Sequence, residues 1–115
     1  MNRNEALHTI KKANPGDRVV AIQGVSGSNV RIYGLGTFEG EHPIADEATG
    51  FFAEAAHAAG LTNPRIKLDS GKTVWGCECW WAPEGQFAMY VRMGYALTSI
   101  DIGEERSKVK EDMQS

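Results

Sequence analysis

Residues 63–81 read Asn-Pro-Arg-Ile-Lys-Leu-Asp-Ser-Gly-Lys-Thr-Val-Trp-Gly-Cys-Glu-Cys-Trp-Trp and contain all three tryptophans and both cysteines of the chain. Residues 69–72 are typical of a turn, so this stretch predicts two short strands, at about 65–68 and 73–81. A tryptophan must bury a large ring and find a partner for its indole N–H. Three within seven residues must therefore face a core, another subunit or a flat ligand, which favours a binding protein.

Length, composition and charge set the class of protein. The chain has 115 residues, of which 42% are hydrophobic and 23% charged, as expected for one globular domain over 1–115. We expect the core at about 18–102, followed by a polar C-terminal tail at 103–115 that either extends a helix or stays mobile. The formal net charge of −3 argues against a nucleic-acid duplex as partner. The sequence has neither an apolar run long enough for a membrane span nor a signal peptide, which predicts a cytoplasmic protein with reduced cysteines.

The order of predicted elements indicates the fold class. β-Branched residues around a Ser-Gly-Ser-Asn turn predict a hairpin over 18–38, in which glycines at 34, 36 and 40 indicate a bulge or a close approach of another backbone. The remaining predicted elements are helices at 4–12, 43–59 and 83–93, the strands described above, and a last strand at 96–102. We therefore expect an α+β fold, with a mainly antiparallel sheet, one long helix packed on a face and a short second helix.

Alternation along a strand at 73–81 divides its side chains between two faces. One face is expected to meet Phe51 and Phe52 of the long helix as core, and the other to meet solvent or a second subunit. This predicts a homo-oligomer; the alternative is that all three tryptophans lie in the core of one chain. The first face would carry Trp75, Cys77, Cys79 and Trp81, and the second Glu78 and Trp80.

The residues that could perform chemistry form no catalytic pattern. Cys77 and Cys79 cannot complete a zinc site alone, and the three histidines lack the spacing of metal ligands, so we expect no metal, no other cofactor and no disulfide. No serine lies in a nucleophile elbow. Glu78 is expected on a solvent-exposed face, where a single carboxylate is a weak indication of a general base. These observations predict a protein that is not an enzyme.

Basic and aromatic residues alternate in three places, which is a pattern suited to flat anionic ligands. An arginine can fork onto a phosphate while an aromatic ring stacks on a base, and the backbone N–H groups of a glycine-containing turn can also bind an anion. The alternative for each pair is an ordinary surface contact between a cation and an aromatic ring. The candidate ligand-binding residues are Gly24, Ser26, Ser28, Arg31, Tyr33, Arg65, Trp80, Arg92 and Tyr95.

Two segments, 19–38 and 63–81, resemble the first-described Thoeris anti-defence family of phages. The most distinctive part is the Leu-Asp-x-Gly-Lys-x-Val-x-Gly-Cys-Glu-Cys-Trp-Trp stretch at 68–81, and the likeness spans about 18–102. The resemblance implies a sponge that binds cyclic signalling nucleotides of bacterial immunity without cleaving them. It also implies ligands such as cyclic ADP-ribose isomers, and in some members cyclic oligonucleotides, held between the subunits of a dimer or hexamer.

Two other functions are also compatible with the sequence. The first is a small nucleotide hydrolase that uses Glu78 as its base. The second is a protein-interaction module that docks through the tryptophan-rich strand.

Overall fold

The computed structural model describes residues 13–44, 48, 55 and 57–114. Within them it has a six-stranded, mostly antiparallel sheet and two helices, which confirms the α+β class. The predicted helix at 4–12 and most of the predicted long helix at 43–59, with Phe51 and Phe52, lie outside the described residues. The elements are β1 (Arg18–Ser26), β2 (Asn29–Pro43), β3 (Thr62–Leu68), β4 (Thr73–Trp75), β5 (Trp80–Pro83), α1 (Glu84–Arg92), β6 (Ala96–Ser99) and α2 (Ile102–Gln114).

The predicted hairpin is confirmed, and two bulges interrupt it. β1 and β2 pair antiparallel through a tight turn at Gly27, whose φ of +60° favours glycine. Ala21 lies opposite Gly34 but Ile22 lies opposite Ile32, which leaves one extra residue, at position 33, on β2. The next shift leaves the extra residue, at position 23, on β1. Such bulges bend a hairpin and increase its twist.

The predicted strand at 73–81 is wrong as a single element. It consists of β4 and β5, which lie at opposite edges of the strand order β4-β3-β2-β1-β5. Five residue-to-residue steps separate Trp75 from Trp80, so their Cα atoms can lie at most about 18 Å apart. Four strand spacings in a flat sheet would require about 19 Å. The connection also turns, since Trp75 O accepts bonds from the backbone N–H groups of Glu78 and Cys79, so the sheet must curl.

The curled sheet has a core on each face. The concave face carries the larger core, where the Phe38 and Trp81 rings lie 5.4 Å apart and Ile102 of α2 closes the cluster. The opposite face is smaller and is covered by Phe87 of α1 and by Tyr95. Trp75 belongs to a third cluster, with Ile44 and Ala48. The concave core comprises Val19, Ala21, Phe38, Ile66, Leu68, Val74, Cys79, Trp81 and Ile102.

The C-terminal third differs from the expected pattern in two ways. The last strand, β6, is shorter than 96–102 and pairs parallel to the first four residues of β2, 29–32. The polar tail is a helix, α2, and the buried Ile102 anchors its first turn. Of the two alternatives for the tail, the structure shows a helix, which follows β6 as a separate element and does not extend another helix. The short helix expected at 83–93 is α1. No helix among the described residues is long and apolar enough to cross a membrane.

Gly36 marks the close backbone approach that the glycines in this strand predict. A Cβ placed there would lie 2.4 Å from the carbonyl oxygen of Lys67 on β3, although the φ of Gly36 is ordinary. We expect Gly36→Ala to force β2 from β3 and to lower the free energy of unfolding by about 1–3 kcal/mol. Gly85→Ala is the matched control, because a Cβ at Gly85 in α1 meets nothing within 4 Å.

In urea unfolding, the control should raise the free energy of unfolding by about 0.4–1 kcal/mol, since alanine restricts the unfolded chain. Equal effects of the two substitutions would contradict the proposed steric cause.

Candidate functional site

A cavity of about 250 Å³ lies between the concave face of the hairpin and α2. Three parts of the chain form it: the two bulged strands, the turn at 76–78, and one side of the C-terminal helix. Its lining mixes charged, polar and apolar groups, as expected of a site that orients a small ligand. The lining residues are Gln23, Tyr33, Cys77, Glu78, Ile102, Glu105, Arg106 and Val109.

The two bulge residues of the hairpin both line this cavity. Gln23 is the extra residue on β1 and Tyr33 the extra residue on β2. A bulge leaves its residue outside the regular ladder and re-aims the side chain, and bulges concentrate beside functional sites for that reason. Gly34, with a φ of +137°, follows Tyr33 and permits the irregular backbone. The bulges thus direct one amide and one phenol into the cavity.

Glu78 enters the cavity from the turn between β4 and β5, and its side chain is only 4% exposed. Arg106 of α2 donates two hydrogen bonds of 2.8 Å to this carboxylate, from Nε to Oε2 and from Nη2 to Oε1. The guanidinium also donates to Thr73 O at 2.8 Å, and the backbone N–H of Trp75 donates to Glu78 Oε1 at 3.2 Å. The expectation of a solvent-exposed Glu78 is therefore wrong, because the residue lies in a turn beneath a helix and not on a strand face.

The same turn changes the positions of the two cysteines. In place of one shared strand face with the tryptophans, Cys77 packs beside Trp75 while Cys79 joins Trp81 in the concave core. The Cys77 N–H donates to Asn63 Oδ1 at 2.7 Å, which fixes the turn. Burial, and next the Glu78 carboxylate, raise the pKa of both thiols, so both stay protonated at neutral pH.

The phenol of Tyr33 is also held neutral. Burial raises its pKa well above the ordinary value, and the carboxylate of Glu105 across the cavity adds to the shift. Tyr33 and Cys77 therefore offer hydroxyl and thiol groups, and the formal charges of the lining come from Glu78, Glu105 and Arg106.

Arg31 lies beside this cavity and differs from the other arginines of the hairpin and sheet. Its Nε donates to Gln23 Oε1 at 2.6 Å, and a Cβ on Gly24 would meet its Nη2 at 3.0 Å. Arg18 and Arg65 are instead paired with carboxylates: Arg18 with Asp69 and Glu84, and Arg65 with Glu39 at 2.8 Å. Among the described residues, the Arg31 guanidinium has a neutral amide as its partner and no carboxylate.

The predicted binding residues fall on two sides of the sheet. Gly24, Arg31 and Tyr33 come together near the cavity. On the opposite side, Tyr95 packs edge-to-face on Tyr90 at 5.6 Å, and Arg92 is exposed at the end of α1. Trp80 is 56% exposed and precedes the inward-facing Trp81, so it points away from the concave core. Ser26 and Ser28 lie exposed at the hairpin tip, and Arg65 lies opposite Trp75 on β3.

Most of the cavity-lining residues are not among the site residues predicted from the sequence. For Gln23 the sequence carries a signal of a β-bulge, since Gly24 and Gly34 each follow a bulge residue. Glu105, Arg106 and Val109 had none, because a polar C-terminal segment shows no pattern that would predict its docking over a bulged hairpin.

No protein-family model, curated protein or solved structure matches this chain in the comparisons. Over the described residues, no group of three or more His, Cys, Asp or Glu side chains is arranged to hold a metal ion. The candidate site is therefore defined by its own geometry: a small cavity with a buried ion pair inside it and an arginine beside it.

The buried pair supplies a stability test of the way α2 is held. Arg106→Met removes the guanidinium and leaves the Glu78 carboxylate buried without this partner. We expect the free energy of unfolding to fall by about 3 kcal/mol, as for other broken buried pairs. Lys108→Met is the matched control, because its 3.4 Å contact with Glu105 is a surface pair in which the lysine is 68% exposed.

In the same urea titration the control should change the free energy of unfolding by less than about 0.5 kcal/mol. A loss from Arg106→Met no larger than that of the control would contradict a stabilising role of the pair.

Proposed function

We propose that this protein binds cyclic nucleotide signals of bacterial immunity and sequesters them without cleavage, in the cytoplasm of a phage-infected cell. The observation that supports this most directly is the placement of Arg31. Its guanidinium lies beside a cavity, with no carboxylate partner among the described residues, in a chain of net negative charge. An arginine of this kind is suited to fork onto a phosphate of a bound anion.

The arginines sort by their partners in a way that agrees with this function. Carboxylates neutralise Arg18, Arg65 and Arg106, whereas Arg31 and Arg92 have no ion pair with the described residues. Arg31 on the cavity side and Arg92 on the α1 side are therefore the strongest candidates for phosphate contacts. Arg65 is a weaker candidate than the sequence indicates, since a ligand would have to displace Glu39.

Sequestration without cleavage fits the state of Glu78, the residue that the alternative hydrolase would use as its base. Both of its oxygens accept bonds from Arg106, and Oε1 also accepts one from the backbone of Trp75. A general base must reach a proton on the substrate or on an attacking water. Three of the roughly four lone-pair positions of this carboxylate are thus occupied, and its side chain is 4% exposed. It is poorly placed to act as a base, so we favour binding over hydrolysis.

The burial of the tryptophans argues against a docking module built on the tryptophan-rich segment. Trp75 and Trp81 are 1% and 8% exposed, so they serve the core of this chain. Trp80 alone retains a free face, which suits the stacking of one base or one contact with another subunit.

We further propose that the protein acts as a homo-oligomer, a dimer or a hexamer. A cavity of about 250 Å³ is below the size of typical ligand sites, so a whole cyclic nucleotide needs a second surface. Helix α1 has no buried residue although it carries several large apolar side chains. Exposed apolar residues in one short segment are typical of a surface that meets another chain. In this protein the exposed apolar residues of α1 and the chain just after it, called here the α1 segment, are Met89, Val91, Met93 and Leu97.

Ligand capture is tested with purified protein and a panel of cyclic ADP-ribose isomers, cyclic dinucleotides and cyclic trinucleotides. We expect at least one of them to raise the melting temperature in a concentration-dependent way, because a ligand of the folded state stabilises it by mass action. Heating the complex should then release that nucleotide chemically intact by mass spectrometry. Altered nucleotide would identify a hydrolase, and no stabilisation by the entire panel would overturn the proposed function.

Two variants test whether Arg31 and Arg92 contact the phosphates of the ligand. Arg31→Ala and Arg92→Ala should each weaken binding of the captured nucleotide roughly 10- to 100-fold by calorimetry, the loss expected for a charge-assisted hydrogen bond. Lys67→Ala, which removes an exposed cation of β3, is the control and should bind like the wild type. Unchanged affinity in both arginine variants, with the wild type binding, would refute these two residues as phosphate contacts.

Assembly is tested by the mass in solution. We expect the wild type to form an oligomer by size-exclusion chromatography with light scattering, and the pair Met89→Lys and Met93→Lys to shift it toward the monomer, because charges desolvated in an apolar interface are costly. Leu61→Lys is the control, since Leu61 is equally exposed at 55% but lies outside the α1 segment. A wild-type monomer at tens of micromolar, or a double variant with unchanged mass, would contradict this interface.

A further inference from the structure

We propose that the cavity between the hairpin and α2 holds an amine-bearing nucleobase of the bound nucleotide, adenine in preference to guanine, while the phosphate stays outside at Arg31. This inference rests on the proposed function and assigns its base subsite. Of the aromatic residues predicted from the sequence to bind the ligand, Tyr33 lines this cavity, whereas Trp80 and Tyr95 do not. Size, charge and hydrogen-bonding pattern each support it.

The size of the cavity fits one part of a nucleotide. Its volume of about 250 Å³ lies below the roughly 300–1,000 Å³ of sites that enclose drug-sized ligands. A planar heterocycle fits such a space, and a whole cyclic dinucleotide does not. The apolar side chains of Ile102 and Val109 supply a surface for a ring, next to the Tyr33 phenol.

The charge of the lining opposes a phosphate inside. Two carboxylates, Glu78 and Glu105, line the cavity against one guanidinium, and that guanidinium is already paired with Glu78. The formal balance of the lining is thus −1, which repels an anion in a partly enclosed space of low dielectric constant. A neutral ring with N–H donors is the part of a nucleotide that such a lining favours.

Arg31 determines which way the Gln23 amide points. A guanidinium has donors and no acceptor, so the atom that receives its 2.6 Å bond must be the amide oxygen. The Gln23 nitrogen is therefore left as the donor at the cavity. Glu105 is an acceptor-only group, and its contact with the exposed Lys108 is long, at 3.4 Å. Beside the Tyr33 hydroxyl and the Cys77 thiol, the cavity therefore presents the Gln23 amide nitrogen as a donor and the Glu105 carboxylate as an acceptor.

This donor and acceptor match adenine better than guanine. One edge of adenine carries the ring acceptor N7 beside the amine donor at N6, whereas the same edge of guanine carries two acceptors, N7 and O6. Glu105 would accept from the adenine amine but would face the guanine O6 with like partial charge. The contact between Arg31 and Gln23 then joins the two subsites, because the other guanidinium nitrogens of Arg31 remain for a phosphate beside the bound base.

The first experiment measures base preference with the adenine-containing members of the panel, cyclic di-AMP and 3′-cyclic ADP-ribose, and their inosine counterparts, in which oxygen replaces the amine. The wild type should prefer the adenine form roughly 5- to 100-fold, the discrimination expected of one base-reading pair. Glu105→Gln adds a donor without changing the volume, and it should reduce that preference to within about threefold. A merely structural role of Glu105 would lower both affinities together and leave the ratio intact.

The second experiment fills the cavity. Val109→Phe places a ring in the space assigned to the base and should weaken binding of cyclic di-AMP or 3′-cyclic ADP-ribose at least 10-fold. Lys108→Phe adds the same ring one residue away, at a side chain that is 68% exposed, and should leave the affinity unchanged. Equal affinities of the two phenylalanine variants would overturn the inference.

The outcomes separate this inference from the function on which it rests. If no cyclic nucleotide binds the wild type, the proposed function fails. If adenine-containing nucleotides bind but Val109→Phe binds as tightly as the wild type, or Glu105→Gln keeps the full adenine preference, the function stands and the cavity is not the base subsite.

Discussion

The four residues 76–79 impose the constraint on which the rest of this structure depends. They join β4 to β5, which lie at opposite edges of the strand order, so the sheet has to curl until those edges approach. Curling gives the sheet a concave face, on which Trp81 and Phe38 form the larger core. The short connection also turns sharply and carries Glu78 beneath α2. Core, turn and cavity are therefore consequences of one tight connection.

The ion pair between Glu78 and Arg106 is the second element that the site requires. It ties a largely polar helix, with Ile102 buried in its first turn, onto the concave face and so closes the cavity. Desolvating both charges is costly, and such pairs often add little net stability compared with apolar groups. Their geometric specificity is the greater benefit here, because the two parallel bonds between the groups allow one docking position of α2.

The two hairpin bulges connect the fold with its proposed function. A regular ladder would place Gln23 and Tyr33 in continuous pairing, whereas two adjacent shifts of register release both side chains toward α2. The position of the Arg31 side chain follows from the same irregularity, since Arg31 lies opposite Gly24 and donates a hydrogen bond to the Gln23 amide. An arginine without a carboxylate partner among the described residues thus lies beside a hydrogen-bonding cavity whose lining has a formal charge of −1. This arrangement suits the proposed ligand, which has a charged phosphate and a flat base.

The sequence by itself determined the local features: the hairpin, its turn, the short helix after Pro83 and the glycine at which β2 and β3 approach. Each depends on residues close together in the chain, where turn chemistry and alternation act directly. The exposure of Trp80 opposite the inward-facing Trp81 also follows from alternation, since the two are adjacent in β5. Only the tertiary structure decided that 73–81 breaks into two strands, that Glu78 is buried and that the C-terminal segment docks as a helix. Those features depend on contacts between residues that are distant in the chain, such as Glu78 and Arg106, and no local period encodes such a pairing.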